Sequence, residues 1–128
     1  MVKKLIYPAT FVQDGDYIFV EFPDVSGAFT QGETLQEAYE MAEEVLGSVL
    51  ADQNHYPVAS SIHEISESNP GKDVALVSVD LEAFRRKYRS KSVRRNVTIP
   101  QWLNDIANSE KINVSQVASD ALKEKLGV

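Results

Sequence analysis

Alternating and continuous apolar runs over the first 80 residues predict a module of mixed α and β structure. Four runs have strand periodicity: residues 5–12, 17–22, 28–30 and 73–79. The last is mostly apolar and β-branched, which predicts a central strand of an antiparallel sheet. Residues 35–50 carry apolar side chains at helical spacing behind the capping-box sequence Thr34-Leu35-Gln36-Glu37, which predicts a helix that covers the sheet. The polar, turn-rich residues 54–72 predict a loop.

Two further features of this half depend on its packing. Gly47 lies inside the predicted helix, where glycine lowers helix stability by roughly 1 kcal/mol relative to alanine. Close approach of another backbone would explain why glycine stands at this position. Asp80 can cap a short helical segment whose apolar side carries Leu81, Phe84 and Tyr88. We interpret residues 81–92, which contain this segment, as a basic linker.

Residues 93–99 alternate side chains in the pattern of a strand. Arg94, Asn96 and Thr98 share one face, and guanidinium, amide and hydroxyl groups are the kinds of group that contact base edges in a DNA major groove. A lone strand would leave its backbone N–H and C=O groups unpaired. We therefore expect antiparallel pairing with the same strand of a second subunit, which makes this part of the chain a homodimer.

Two short helices are predicted after this strand. Pro100 suits the first turn of a helix, and the apolar spacing that follows predicts a helix to about Asn108. Asn113 or Ser115 can cap a second amphipathic helix that ends at Gly127. A strand and two helices in fewer than forty residues form too small a core to stand alone, which again favours a dimer.

The formal net charge of −6 hides a division along the chain. Residues 1–80 carry 3 Lys and Arg against 14 Asp and Glu, net −11, whereas residues 81–128 carry 10 against 5, net +5. The acidic half is suited to a basic partner, and the basic half to nucleic acid. Because a basic run leads directly into the predicted strand, we expect Lys91 within it to contact DNA phosphate.

Composition excludes several classes of protein. The chain has no cysteine, so disulfides and thiolate chemistry are excluded and a zinc site would lack its commonest ligands. No apolar run approaches the roughly 20 residues that span a bilayer, and the first residues lack the apolar region of a signal peptide. We expect a cytoplasmic protein with no membrane partner.

The second half resembles the ribbon-helix-helix family of DNA-binding domains. The resemblance is carried by Arg94-x-Asn96-x-Thr98-x-Pro100 and by the later Ile112-Asn113-Val114-Ser115-Gln116-Val117. It implies that Arg94, Asn96 and Thr98 contact bases in operator DNA. It also implies that the backbone N–H groups of Val114 and Ser115 hold a phosphate, as the helix dipole favours. Lys111 occupies the turn between the helices, where this family often has glycine.

The first half resembles the HicB antitoxin family. Two stretches carry the resemblance: Phe22-Pro23-Asp24-Val25-Ser26-Gly27, and Gln31-Gly32-x-Thr34-x-x-Glu37-Ala38. It implies a truncated ribonuclease-H-like fold with the order β-β-β-α-β. It also covers nearly the whole chain, because many HicB proteins carry a ribbon-helix-helix or helix-turn-helix domain after this module.

What this resemblance implies is a type II antitoxin. Its acidic domain would neutralise HicA, a small basic toxin that cleaves mRNA, and its second domain would bind the operator and repress the toxin–antitoxin operon. Five acidic residues are candidate toxin contacts: Glu21, Asp24, Glu37, Glu40 and Glu44. We expect no cofactor.

An enzymatic function is a weaker alternative. A ribonuclease-H-like sheet can hold metal ions on clustered carboxylates, but Asp14, Asp16 and Asp24 fall in or beside turns. His55 and His63 lie in the predicted loop with no metal-ligand spacing around them. We therefore assign no catalytic residue and no metal ligand.

The sequence as a whole predicts a non-enzymatic α+β protein of two modules. Residues 1–80 form the toxin-binding domain, 81–92 the basic linker and 93–128 the ribbon-helix-helix domain. The last domain forms the homodimer, and the sequence leaves open whether dimers associate further. The main alternative is a ribbon-helix-helix transcriptional repressor whose first module senses a ligand or another protein. A ribonuclease-H-like nuclease is the third hypothesis.

Overall fold

The computed structural model describes residues 4–128, which divide between Ser90 and Lys91 into two compact units. We call residues 4–90 the first unit and residues 91–128 the second unit. Divided in this way, the first unit carries 6 Lys and Arg against 15 Asp and Glu, net −9, and the second 6 against 4, net +2. The acidic character is therefore concentrated in the first unit.

A four-stranded antiparallel sheet forms the first unit. Its strands are β1 Lys4–Asp14, β2 Tyr17–Glu21, β3 Phe29–Gly32 and β4 Asp73–Asp80, in the order β3-β2-β1-β4. Gly15 adopts φ +60° in the β1–β2 turn, a conformation that glycine reaches without steric cost.

The prediction that residues 73–79 form a central strand is wrong, because β4 is an edge strand paired only with β1. Its apolar sequence has a different reason. Val77 and Val79 belong to the core beneath the long helix α1 (Leu35–Leu50), and a second helix also packs against β4. A strand covered in this way has the sequence of a central one.

Helix α1 covers one face of the sheet and closes the core. Its buried residues Ala38, Ala42 and Leu46 recur at helical spacing, and they pack with Tyr7 and Phe11 of β1. The helix begins where predicted, because the Thr34 hydroxyl accepts a hydrogen bond from the Glu37 N–H at 3.1 Å.

The predicted loop at residues 54–72 contains a helix, α2 Ile62–Ser68, so that prediction is corrected. Ser61 and Glu64 form a capping box: the Glu64 N–H donates to the Ser61 hydroxyl at 3.1 Å, and the Ser61 N–H donates to the Glu64 carboxylate at 3.2 Å. Ile65 is buried and fixes the helix, which packs against β4 and β1.

The predicted linker at residues 81–92 begins with an ordered helix, α3 Leu81–Tyr88. Its N-cap, the Asp80 carboxylate, accepts from the Ala83 N–H at 3.1 Å, and Leu81 and Phe84 are buried in the core of the first unit. Arg85 donates to the Ala51 carbonyl at 3.1 Å. The basic residues of this stretch therefore include side chains that hold the first unit together.

An exposed ion pair between Arg89, at the end of α3, and Asp52 also attaches α3 to the rest of the first unit. Arg89 donates to the Asp52 carboxylate at 2.8 Å, and this hydrogen bond holds the pKa of Asp52 below its ordinary value. A carboxyl group whose pKa is lower in the folded state stabilises that state at pH values above its unfolded-state pKa. This stabilisation is lost as the pH falls through the folded-state pKa. Solvent screens the pair, so its contribution is small.

Gly47→Ala is expected to lower the melting temperature although alanine is the better helix former by about 1 kcal/mol. A Cβ atom at this position would lie 2.4 Å from Cδ2 of the Phe84 ring, so the close neighbour is a side chain and not the expected backbone. The ring also packs on Tyr88, with the two centroids 4.8 Å apart, and overpacking typically costs about 1–3 kcal/mol. Thermal unfolding measured beside the exposed Ser48→Ala variant tests this, and an unchanged or raised melting temperature for Gly47→Ala would contradict it.

Two helices form the second unit, α4 Gln101–Ser109 and α5 Val114–Leu126, and both confirm the predicted positions. Lys111 adopts φ +56° in the turn between them. The Lys111 N–H donates to the Asn108 carbonyl at 3.1 Å and the Ile112 N–H to the Ala107 carbonyl at 3.0 Å, the pattern of a Schellman motif. Glycine is preferred at this position of such turns because it reaches the left-handed conformation without steric cost.

Candidate interaction surfaces

The predicted base-contacting residues lie on an irregular, exposed segment. Within the described residues 91–100 there is no strand, so the strand predicted at 93–99 is absent from the single chain. Arg94, Asn96, Thr98 and Lys91 are all exposed there. The physical reason is the lack of a second strand to receive the backbone hydrogen bonds, which one chain does not supply. The base and phosphate contacts stay predictions.

The helices of the second unit expose the apolar faces that the sequence pattern predicts. Neither α4 nor α5 has a buried residue in the single chain. The exposed apolar side chains of the two helices are Trp102, Leu103, Ile106, Val114, Val117, Leu122 and Leu126. A helix pair with no core of its own gains little stabilisation from hydrophobic burial.

The first turn of α5 offers backbone donors to an anion. Asn113 is the N-cap, and its side-chain oxygen accepts from the Gln116 N–H at 3.0 Å. The preceding N–H groups, of Val114 and Ser115, have no acceptor within the helix because they belong to its first turn. With the positive end of the helix dipole, they can bind a phosphate oxygen.

The five acidic residues predicted to contact the toxin do not form one surface. Glu37, Glu40 and Glu44 are exposed on α1, which packs on one face of the sheet, whereas Glu21 of β2 is exposed on the opposite face. Asp24 is half-buried, and its two carboxylate oxygens accept from the Ser60 N–H and the Ser60 hydroxyl, each at 2.8 Å. The geometry of Asp24 is that of a structural link between two loops.

The Asp24 link lies beside a buried tyrosine. The Tyr7 hydroxyl donates to the Pro57 carbonyl at 2.6 Å, which attaches the same loop to β1. Burial, followed by the negative charge of Asp24, raises the pKa of Tyr7 above its ordinary value. The hydroxyl therefore stays protonated at neutral pH and keeps donating this hydrogen bond.

The carboxylates considered for nuclease chemistry are dispersed. Within residues 4–128 there is no group of three His, Asp or Glu side chains placed to hold a metal ion. His63 contacts the Glu67 carboxylate at 3.1 Å on the exposed side of α2, one turn further along the helix. This is an ordinary pair on a helix surface.

Aromatic residues on the sheet divide between its two faces, which the sequence alone did not separate. Tyr7 and Phe11 are buried in the core, whereas Tyr17 and Phe29 are 41% and 59% exposed. Phe19 lies against Phe29 with ring centroids 6.4 Å apart. We call Tyr17, Phe19, Phe29 and Val12 the outer patch. Val12 lies opposite Phe19 in the register.

A groove of about 550 Å³ lies between α1 and α3. Glu40, Glu43 and Glu44 line it from α1, and Lys87 and Tyr88 from α3. Lys87 lies over the Tyr88 ring, 5.2 Å from its centroid. Carboxylates and the ammonium groups of Lys4 and Lys87 share the groove, so its charge is mixed.

Comparison with known proteins gives the family. A model of the HicB-like antitoxins of bacterial toxin–antitoxin systems matches residues 7–123, which span both units. The chain belongs to this family of antitoxins. No helix within residues 4–128 is long and apolar enough to cross a membrane.

The chain is also similar to several individual proteins. An uncharacterised 14.9 kDa protein of Haemophilus phage HP1 is 27% identical over 103 residues, covering 77% of this chain and 76% of the phage protein. A chain of a toxin–antitoxin complex from Streptococcus pneumoniae is 26% identical, with a TM-score of 0.57 over 96% of this chain and 99% of that one. The Burkholderia pseudomallei antitoxin HicB is also 26% identical, with a TM-score of 0.54 over 96% and 97%.

Proposed function

We propose that this antitoxin acts in a type II system: its first unit neutralises a basic HicA-type toxin that cleaves mRNA, and its second unit represses the operon by binding operator DNA. The observation that carries the proposal is the pairing of an acidic, self-contained first unit with a second unit whose helices have no buried residue. The first is suited to a basic protein. The second needs a further copy of itself.

A ribbon-helix-helix homodimer accounts for the second unit. Pairing of two 93–99 segments would supply the missing backbone hydrogen bonds and cover the apolar side chains of α4 and α5. Arg94, Asn96 and Thr98 would then lie on the outer face of a two-stranded ribbon, which fits the DNA major groove. Lys91 and the N–H groups of Val114 and Ser115 would contact phosphates on either side.

A toxin-binding role without enzymatic activity accounts for the first unit. Its sheet with α1 matches the β-β-β-α-β order of a partial ribonuclease-H-like fold, with α2 added before β4. Its dispersed carboxylates are better suited to electrostatic attraction of a basic protein than to metal-assisted hydrolysis. The site of action is the cytoplasm, where both the operon and mRNA are found.

The proposal is tested by co-expressing this chain with the small basic protein encoded beside its gene. We expect a stable complex on size-exclusion chromatography, loss of RNA cleavage by the toxin, and a gel shift of the operon's own promoter. Promoter binding without a toxin partner would leave a repressor whose first unit senses another ligand. RNA cleavage by the purified chain alone, dependent on a metal ion, would instead support the nuclease hypothesis.

A further inference from the structure

The outer patch lies on the face of the sheet that α1 does not cover. In the register, Val12 lies opposite Phe19, Asp14 opposite Tyr17, and Glu21 opposite Phe29. Side chains alternate along a strand, so the neighbours Phe11 and Val20, which are core residues packed with α1, point the other way. The four patch residues therefore lie side by side on three adjacent strands.

The fold covers the same face elsewhere but leaves the outer patch open. Pro8 and Thr10, further along β1 on this face, are buried. Phe29 nevertheless exposes 59% of its surface and Tyr17 41%. Aromatic side chains are enriched at the centres of protein interfaces, where each buries a large area with few rotatable bonds. An aromatic cluster left open beside a covered region of the same face has the composition of a binding surface.

The charged residues on β2 and in the β1–β2 turn beside the outer patch are acidic. Asp14 and Glu21 flank it on the same face, Asp16 lies in the adjoining turn, and all three are exposed. β2 and β3 contain no Lys or Arg, and Lys4 lies at the opposite end of β1, in register with Asp80. The exposed Lys72 immediately precedes Asp73, which lies opposite Phe11, so one basic residue lies on the β4 side of the patch. Two copies meeting through this patch would bring like charges together, whereas a basic partner would be attracted.

We propose that the outer patch, flanked by Asp14 and Glu21, is the surface on which this antitoxin binds its basic toxin. This inference rests on the proposed function and identifies the toxin-binding surface of the first unit. Phe19 and Phe29 supply the apolar anchor, and Glu21 supplies charge that steers the approach.

This site excludes most of the acidic residues predicted to contact the toxin. The sheet separates the outer patch from α1, so Glu37, Glu40 and Glu44 lie on the opposite side of the sheet from Phe29. The groove between α1 and α3 is a weaker candidate because Lys4 and Lys87 line it together with its glutamates. Of the five predicted contacts, only Glu21 belongs to the proposed surface.

The experiment measures the affinity of the full-length antitoxin for the toxin encoded beside it, using Phe29→Ala and Tyr17→Ser. We expect each to weaken binding at least tenfold, mainly through faster dissociation, while Glu21→Gln slows association and reduces its salt dependence. Matched controls are Leu35→Ala, also an exposed apolar residue, and the double variant Glu40→Gln, Glu44→Gln. Both are expected to stay within twofold of the wild type.

Three results would overturn the inference while the antitoxin function stands. The first is wild-type affinity of both patch variants for the toxin. The second is a tenfold loss in the α1 double variant with none in Phe29→Ala. The third is a patch variant that changes the oligomeric state but not toxin affinity, which would assign the patch to self-association.

A wild-type chain that fails to bind the toxin contradicts the proposed function itself. An unchanged melting temperature establishes that the first unit of each variant is folded, and unchanged operator binding that its second unit is intact.

Discussion

Arg94→Ala is expected to weaken operator binding by about 1–3 kcal/mol for each half-site and to relax the preference for one base pair. A guanidinium that bridges two acceptors on a base edge carries both affinity and sequence information, and alanine removes both. The exposed position of Arg94 in the single chain means that folding of the first unit is unaffected. Gel shifts against the operator and a panel of single-base variants measure the effect.

Lys91→Ala is the matched control for this result. A lysine on phosphate contributes through counterion release, so its loss should reduce the salt dependence of binding for every sequence alike. Lys91 is exposed in the same irregular segment, three residues before Arg94. Equal, sequence-independent losses from both variants would contradict the assignment of Arg94 to a base.

Ending the chain at Leu81 is expected to destabilise the first unit, whereas ending it at Ser90 leaves the unit folded and able to bind toxin but not operator. The shorter fragment loses Phe84, which is 9% exposed, and loss of a buried phenylalanine typically costs about 3–5 kcal/mol. It also loses the hydrogen bond from Arg85 to the Ala51 carbonyl. Thermal unfolding of the two fragments measures the difference.

The variant Phe84→Ala in the longer fragment separates the side chain from the rest of α3. We expect it to account for most of the difference between the fragments. Equal melting temperatures for the fragments ending at Leu81 and Ser90 would show that residues 82–90 add nothing to the stability of the first unit, as expected of a linker.

Local sequence signals predicted the long elements of this fold because those signals are strong and redundant. α1 has the Thr34 cap and a buried stripe through Ala38, Ala42 and Leu46, and α5 has the Asn113 cap and a terminal glycine. α2 was missed because a helix of seven residues contains a single buried side chain, Ile65. Its capping box was the available signal, and it stands in a polar stretch that otherwise resembles a loop.

Other features depended on partners distant in sequence. Burial of β4 on its inner face, with α2 also packed against it, gives an edge strand the composition of a central one. Asp24 has the sequence context of an exposed turn acid, but its hydrogen-bond partner Ser60 is 36 residues away. Alternation placed Phe19 and Phe29 on strands, yet only the register shows that they lie on the face that α1 leaves open.

On the proposed homodimer, the apolar side chains that α4 and α5 leave exposed would make repression depend on how often two chains meet. If the operator-binding form is the dimer, its concentration below the dimer dissociation constant varies as the square of the chain concentration. Halving the supply of free antitoxin then reduces the DNA-binding form to about a quarter. Two chains that complete each other's fold in this way would convert a modest fall in antitoxin into a steep rise in transcription of the operon.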